Sequence, residues 1–472
     1  MSVLSAVCIP SILGFLTLAA LLRDTPFRRK DFFLLSASIP TGLGICSLLL
    51  FVSLLLSPLY AKPLSIGLSL GLIFLLLFRL RAPGTFPKAV FLPEALRSIN
   101  LKDKASLFKN TLALAGAVLF LYTAFTIIQF YFLSVSTNIG GGWDARYFWA
   151  LKAKFMFRDP AEWQLMFSQK LPWSNQGYPL LWPGTLAWGW HSLGQESPLW
   201  GPFAALCFYI PCALLVVWYL AAHHTAITGW LGGSFALVLL PPLFWAIHQY
   251  ADVPLAFFMT ACGLTLVSAL RLNAPGLFMI SGLMGGLAAW TKNEGILFVV
   301  WIYLLLGAAL WRHPGKNMKA PLRTLGIFAL GTLGPLLAVG TLKYLARNAG
   351  VPINDLQHPL EFLSSGMERS GMILKAFFDY MNPWTGWKGL WGFFILAALL
   401  MGFKRQGKSY EGLLFLIVLL TYAGYFAVLL ITSPDLPWQI QTALDRLILH
   451  ASFLATAFVF EMLTFDRNIP PK

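Results

Sequence analysis

Four charged residues border apolar runs in this chain: Asp144, Asp252, Lys292 and Arg446. An ionised side chain beside hydrocarbon is unfavourable unless it is solvated, paired or used. Two carboxylates and two cations on one face suit a reaction on a lipid-linked phosphate. A carboxylate accepts a proton from an attacking hydroxyl, while Lys and Arg stabilise a departing phosphate. Asp144 lies in Gly140-Gly141-Gly142-Trp143-Asp144-Ala145-Arg146-Tyr147-Phe148-Trp149. The three glycines free the backbone to turn sharply past a helix end.

Around these four stand residues expected to line the same site. Glu294 follows Lys292 by two positions, Asp445 precedes Arg446, and Arg146, Tyr147 and Trp149 follow Asp144. His248 comes four residues before Asp252. Each residue also has a purely structural role open to it. Asp144 can pair with Arg146. Asp252 can cap a helix whose first turn holds Pro254. Lys292 can pair with Glu294 or reach toward the interface, and Arg446 can anchor a span at the headgroups. The seven histidines (His191, His223, His224, His248, His313, His358 and His450) show no metal-ligand spacing.

The elements that must position these side chains are membrane spans. Of 472 residues, 58% are hydrophobic and 11% charged, and the mean hydropathy is +0.70. Soluble domains carry about 25% charged residues, so the composition indicates an all-α polytopic membrane protein. A span needs about 20 apolar residues. Thirteen candidates are expected, near 3–22, 32–56, 63–78, 111–134, 199–221, 226–247, 251–270, 275–290, 295–311, 322–342, 389–403, 411–431 and 444–462. Because several are short or broken by Gly and Pro, the count ranges from twelve to fourteen. The first apolar run lacks a basic leader and reads as a retained span. The five cysteines lie in or beside apolar runs and read as small core residues, not disulfides or metal ligands.

The net charge of +15 does not point to nucleic acid, because the basic residues alternate between loops and form no basic helix. One side of the expected topology collects 21 of the 34 Lys and Arg, which makes it cytoplasmic by the positive-inside rule. The four charged residues then fall on the outer side, with the N-terminus outside and the C-terminus inside. The chain divides into a three-span unit at 1–78, a basic cytoplasmic linker at 79–110, a transmembrane catalytic part at 111–462 and a tail at 463–472. Outer loops 135–198 and 343–388 are large. The first holds an amphipathic piece from Trp149 and the aromatic residues Trp163, Trp173, Trp182, Trp188 and Trp190, expected at headgroup level. Its segment Gln176-Gly177-Tyr178-Pro179 is expected to press onto the bundle. No repeat of fixed period is visible, which argues against a transporter of inverted halves.

The order and sidedness of these motifs resemble the GT-C superfamily of integral-membrane glycosyltransferases, which use polyprenyl-phosphate-linked sugars. The style is closest to bacterial lipid-modifying and protein-mannosyltransferase-like members. The resemblance covers roughly 111–462 and rests on Gly142-Trp143-Asp144-Ala145, Ala251-Asp252-Val253-Pro254, Thr291-Lys292-Asn293-Glu294-Gly295 and Asp445-Arg446-Leu447. It implies a GT-C-like bundle in a bacterial inner membrane, with the active site on the periplasmic side. It further implies a polyprenyl-phosphate sugar donor and a lipid, glycan or protein acceptor. Asp144 is implied as general base, Asp252 as a second catalytic acid that assists positioning or holds a metal if one is used, and Lys292 with Arg446 as contacts to the donor phosphate. A divalent metal is admitted, with no ligand set assigned and no other cofactor called for. The acid pair of many relatives is here Asp144-Ala145, so Asp144 would act alone. The alternatives are a transporter or flippase of a lipid-linked or small polar substrate, and a lipid-binding scaffold.

Overall fold

The computed structural model describes residues 3–23, 25, 29–81, 104–312, 319–351, 366–382, 384–403, 411–431 and 435–463. Most of the expected linker 79–110, the middle of outer loop 343–388 and the tail after Leu463 lie outside these residues. Every regular element among the described residues is helical.

Apolar sequence in long runs leaves the backbone one way to satisfy its polar groups without water, which is to bond them along a helix. Eight described helices are long and apolar enough to cross a membrane: Lys30–Leu56, Pro58–Leu80, Phe108–Thr137, Trp200–His223, Asp252–Leu272, Asn293–Trp311, Pro321–Asn348 and Gly412–Ile431. Two further pairs qualify only together, because each is bent at a short break. Ala226–Leu237 meets Leu240–Ile247 at 55°, and Leu436–His450 meets Ser452–Leu463 at 44°. Pro241 and Pro242 lie in the first turn after the first break, where a missing N–H is harmless. Three apolar helices are shorter: Ser5–Leu21, Pro275–Thr291 and Leu390–Met401. The chain is thus an all-α, multi-pass membrane protein.

Several hydroxyls inside these helices are satisfied locally, although those of Thr17 and Thr260 are buried without a partner among the described residues. Thr41, Thr265, Thr291 and Thr421 each donate to the carbonyl four residues earlier, at 2.6–2.7 Å. Close helix approach is carried by small residues, as expected where lipid offers no hydrophobic drive between helices. At the crossing of Pro275–Thr291 with Lys319–Asn348, a methyl group on Gly282 would strike the Phe328 carbonyl, and one on Gly331 would strike that of Met279.

The Asp252–Leu272 helix is the axis of the bundle, buried over 94% of its apolar stretch, whereas Pro58–Leu80 is buried over 17%. Its neighbours are Trp200–His223, Pro275–Thr291 and the bent Leu436–Leu463 pair. The N-terminal helices join the same core. Phe33 meets Trp218 at 4.6 Å between ring centroids and Phe51 meets Trp290 at 5.0 Å. Ser47 Oγ accepts from Trp290 Nε1 at 3.0 Å.

Charges gather at both ends of the axial helix. Asp252 begins it, and Arg271 lies 19 residues further on in its last turn. At about 1.5 Å per residue that is about 28 Å, close to the roughly 30 Å of a bilayer's hydrocarbon core. At the Arg271 end, Glu461 is fully buried and pairs with Arg271 and with His224 at 3.5 Å, while Tyr219 Oη donates to it at 2.9 Å. The Leu436–Leu463 pair carries Arg446 and His450 near its middle and Glu461 near its C-terminal end, so it reaches both charge sets.

The segment between Thr137 and Trp200 is folded, not loose. It runs through a π-type turn at Ala145–Trp149, a helix at Ala150–Arg158, 3-10 turns at Pro160–Phe167 and Pro172–Ser174, and a helix at Leu181–Leu193. Its tryptophans depart from the headgroup belt expected of them. Trp163, Trp182 and Trp188 are at most 1% exposed and Trp190 is 7% exposed, while Trp173 is 48% exposed. Four of the five therefore pack into protein and hold this segment on the bundle.

Candidate functional site

The site is built on a turn and a glycine stretch that fit into each other. Between Leu240–Ile247 and the axial helix, Gln249 adopts a left-handed conformation with φ of 59°. The turn is tied down on both sides. His248 O accepts from Gly142 N at 3.0 Å, Gln249 Nε2 donates to Ile139 O at 2.9 Å, and Trp182 Nε1 donates to Gln249 O at 2.9 Å. Only Gly141 of the three glycines has a positive φ, 71°. Gly142 is required by space, for a Cβ there would lie 2.7 Å from the Tyr250 ring, whereas one on Gly140 would meet only the movable end of the Arg146 side chain, 2.7 Å from its Nε. Ala145 is 5% exposed and faces Gly141, which leaves no room there for a second acid.

Asp144 emerges from this arrangement at the start of the π-type turn, a deformation frequent at functional sites. Its backbone N–H donates to Tyr250 Oη at 3.2 Å. Its Oδ2 accepts from Arg446 Nη1 at 2.5 Å, and no described residue bonds its other oxygen. The Asp144 side chain is 27% exposed. Arg446 Nη2 donates to Thr442 O at 2.7 Å, one helical turn earlier. The guanidinium lies 5.5 Å from the Trp245 ring and 5.3 Å from that of Tyr250, a cation–π enclosure. Arg446 Nε is buried and has no partner among the described residues. Asp445, beside it, accepts from Arg446 N at 2.8 Å and Trp245 Nε1 at 3.0 Å. Burial and the Asp144 carboxylate together raise the pKa of Tyr250, keeping it a neutral hydrogen-bonding group.

One turn further along the same helix, His450 meets Asp252. Asp252 Oδ1 accepts from His450 Nε2 at 2.9 Å and from Lys292 Nζ at 2.8 Å. With Nε2 donating, Nδ1 of neutral His450 accepts from Tyr425 Oη at 2.9 Å. Lys292 Nζ also pairs with Glu294 Oε1 at 3.0 Å. Asp252 is wholly buried and Lys292 is 5% exposed. Asp252 makes no helix cap, so its carboxylate is committed to these partners.

The structure thus brings Asp144 to Arg446 and Asp252 to Lys292, in two pairs joined through the Leu436–His450 helix. It alters several expectations. Lys292 was expected at a phosphate, but two carboxylates enclose it. Arg146 bonds Asn138 Oδ1 and not Asp144. Trp149 is 2% exposed and buried behind the site, whereas Tyr147, 50% exposed, stands free beside Trp143. His248 packs on Phe244 at 4.0 Å and bonds its carbonyl, and its ring backs Trp245 and Tyr250 at 5.7 and 6.3 Å without bonding the charged groups. Among the described residues no three His, Cys, Asp or Glu side chains come together as a metal ligand set, so the residues present do not compose a metal site of their own.

Sequence reasoning passed over His450, Tyr425, Tyr250 and Tyr178. His450 had a usable signal, since it follows Arg446 by four residues and so shares its helix face. Tyr250 and Tyr178 stand in stretches singled out on other grounds, while Tyr425 had no signal, because its partner His450 is distant in the chain.

The chain matches no protein-family model, no curated protein and no solved structure.

Proposed function

We propose that this protein is a GT-C-type glycosyltransferase that moves a sugar from a polyprenyl-phosphate-linked donor to a lipid, glycan or protein acceptor at the outer membrane face. The observation that carries this reading is the pair of Asp144 and Arg446. A part-exposed carboxylate with one free oxygen lies against an arginine that has an unpartnered N–H. Asp144 takes the proton of an acceptor hydroxyl, whose oxygen attacks the anomeric carbon with inversion. The bond from that carbon to the phosphate oxygen breaks, and polyprenyl phosphate departs with the electron pair. Arg446 meets the charge that develops on the phosphate. Its Nε supplies a hydrogen bond, and the surrounding low-polarity rings strengthen the attraction. Asp252, held by Lys292 and His450, fixes the helix that carries Arg446. Lys292 organises the acids and does not contact phosphate.

In this reading the three shorter apolar helices also cross the membrane, giving thirteen spans with the two bent pairs. The charge excess of the loops sets the Asp144 end outside, which is the periplasm in a bacterial inner membrane.

The test is transfer by the purified protein in nanodiscs, supplied with a polyprenyl phosphosugar and an extract of membrane lipids and glycans as acceptors. Asp144→Asn should abolish transfer with expression and folding intact. Full activity in that variant would sink the assignment.

The competing reading is a transporter or flippase of lipid-linked or small polar substrates. The two bent pairs favour it, since broken helices beside buried charges are also how transporters build sites. Substrate movement across sealed vesicles without glycosyl transfer would decide for it.

A further inference from the structure

Trp143 and Tyr147 flank Asp144 in the chain, and both are exposed. Spaced four apart, they come to the same side of the turn, with ring centroids 5.4 Å from each other. Neither ring holds the Asp144 carboxylate, which Arg446 secures. Arg146, between them, is exposed as well and bonds Asn138 Oδ1. Two aromatics and a cation thus stand at the open side of the reactive acid.

The surface beside them continues one that meets lipid. The Phe108–Thr137 helix crosses the membrane with only 22% of its apolar stretch buried. Its exposed Phe132 and Leu133 give way to exposed Ser136 and Thr137. Those two hydroxyls turn back to helix carbonyls at 2.7 Å, and the change of composition marks where the helix leaves hydrocarbon. Asn138 then folds the chain over, its carbonyl accepting from Gly141 N at 3.0 Å. Exposed Ile139, Trp143 and Tyr147 follow at once. Trp and Tyr are the side chains that settle at headgroup level. The Arg146 guanidinium is drawn toward the end of the spanning helix and away from Asp144.

We propose that this flank seats an anionic membrane lipid, and that a hydroxyl of its headgroup is the acceptor that Asp144 deprotonates. The acyl chains run along Phe132 and Leu133, Trp143 and Tyr147 meet the glycerol level, and Arg146 pairs with the lipid phosphate. A soluble glycan has no apolar part to match this surface, and a neutral lipid leaves the cation unmatched. In the reaction the headgroup hydroxyl gives its proton to Asp144, and its oxygen bonds the anomeric carbon of the donor sugar. The bond from that carbon to the phosphate oxygen breaks, and polyprenyl phosphate leaves with the electron pair. This rests on the glycosyl-transfer reading for its chemistry and selects one class among the acceptors that reading allows. The lipid seat itself does not require transfer.

The test is photocrosslinking of the full-length protein in phosphatidylcholine nanodiscs, with phosphatidylglycerol carrying a diazirine high in one acyl chain as probe. Peptides covering 132–147 should be labelled, and unlabelled phosphatidylglycerol should displace the probe where extra phosphatidylcholine does not. Arg146→Gln should weaken this capture about fivefold, the effect of one cation facing an anionic lipid. Trp143→Ala combined with Tyr147→Ala should weaken it at least as much. All three side chains are exposed, so loss of capture is not loss of fold. With a polyprenyl phosphosugar added, sugar should appear on phosphatidylglycerol, and Arg146→Gln should need about five times the mole fraction of that lipid for half-maximal transfer. The proposal is overturned if a phosphatidylcholine probe labels these peptides equally, or if Arg146→Gln captures as the wild type does. Capture with this dependence but no transfer to any acceptor would sink the transferase and keep the lipid seat. Transfer that needs Asp144 but reaches only a soluble peptide or oligosaccharide would keep the transferase and overturn the lipid acceptor.

Discussion

Arg446 Nη1 lies 2.5 Å from Asp144 Oδ2, joining residues 302 positions apart in the chain. The two arrive from different constructions. Asp144 comes off a turn that needs glycine at 141 and 142, and Arg446 comes from a helix that bends four residues later. The contact is thus a measure of whether both constructions are in place.

Replacing Arg446 should separate charge from geometry. Arg446→Gln is expected to lower the transfer rate about 10²–10³-fold, the usual effect of removing one donor to a developing anion. Arg446→Lys should fall between, because a single ammonium cannot hold Asp144 and the Thr442 carbonyl together and still offer a third N–H along the fork. Initial rates at saturating donor check this, and a wild-type rate in Arg446→Gln would remove the residue from the reaction.

The Asp252–Lys292 pair should behave as a coupled unit. Breaking a buried ion pair from one side is destabilising by about 3–5 kcal/mol, so Asp252→Asn and Lys292→Met should each unfold at markedly lower denaturant. The double variant should lose less than the two losses combined. Strict additivity in the unfolding free energies would mean that the two charges do not support each other.

Acid should loosen the Leu181–Leu193 helix through His191. This imidazole is 5% exposed and bonds the Met156 carbonyl at 3.2 Å. Burial pushes its pKa down to about 4, against 6.5 for the free side chain. Above pH 6.5 neither folded nor unfolded chain binds the proton, and stability is complete. Between the two values the unfolded chain takes a proton that the folded one refuses. Stability therefore declines as the pH falls from 6.5 to about 4, by up to about 3 kcal/mol, and levels off below that. His191→Leu should flatten the dependence of the thermal midpoint on pH over this window, and an unchanged slope would contradict the assignment.

The charge set around Glu461 offers a control. Glu461→Gln leaves Arg271 without its buried counter-charge and should lower the thermal midpoint, because unpairing a buried ion is unfavourable. Transfer per folded molecule should stay near wild type, since Asp144 and Arg446 are untouched. A proportionate loss of specific activity would show that the two ends of the bundle are energetically coupled.

The spans were readable because hydrocarbon permits so little else, and apolar runs bounded by Lys, Arg, Gly and Pro leave few assignments. Asp144, Asp252, Lys292 and Arg446 were readable for a related reason, since charge beside apolar sequence demands an explanation. What sequence did not reveal is who pairs with whom. Asp144 had Arg146 two residues away and uses Arg446 instead, because Arg146 turns back to Asn138 across Gly140. The tryptophans of 135–198 show the same limit. Their amphipathic context suits a membrane surface and an internal core equally well, and only the folded segment between Thr137 and Trp200 decides for the core. The turn-rich stretch around Tyr178 was legible as a segment pressed onto the bundle, but not that Lys343, a residue of another helix, holds it there through Gly177 O.

The axial helix with charge sets fixed at both ends has a consequence for the surrounding lipid. It acts as a ruler of nearly constant length, since neither set can slide toward the middle without drawing ions into hydrocarbon. A bilayer of matching thickness leaves it upright and unstressed. A thicker or thinner one must deform around it or tilt it, at fractions of a kcal/mol per Å. The bend after His450 is one place where such tilt can be taken up, and Arg446 lies one helical turn before it. Acyl-chain length in the host membrane is therefore expected to act on the spacing between Asp144 and its arginine, making bilayer thickness a variable of the site itself.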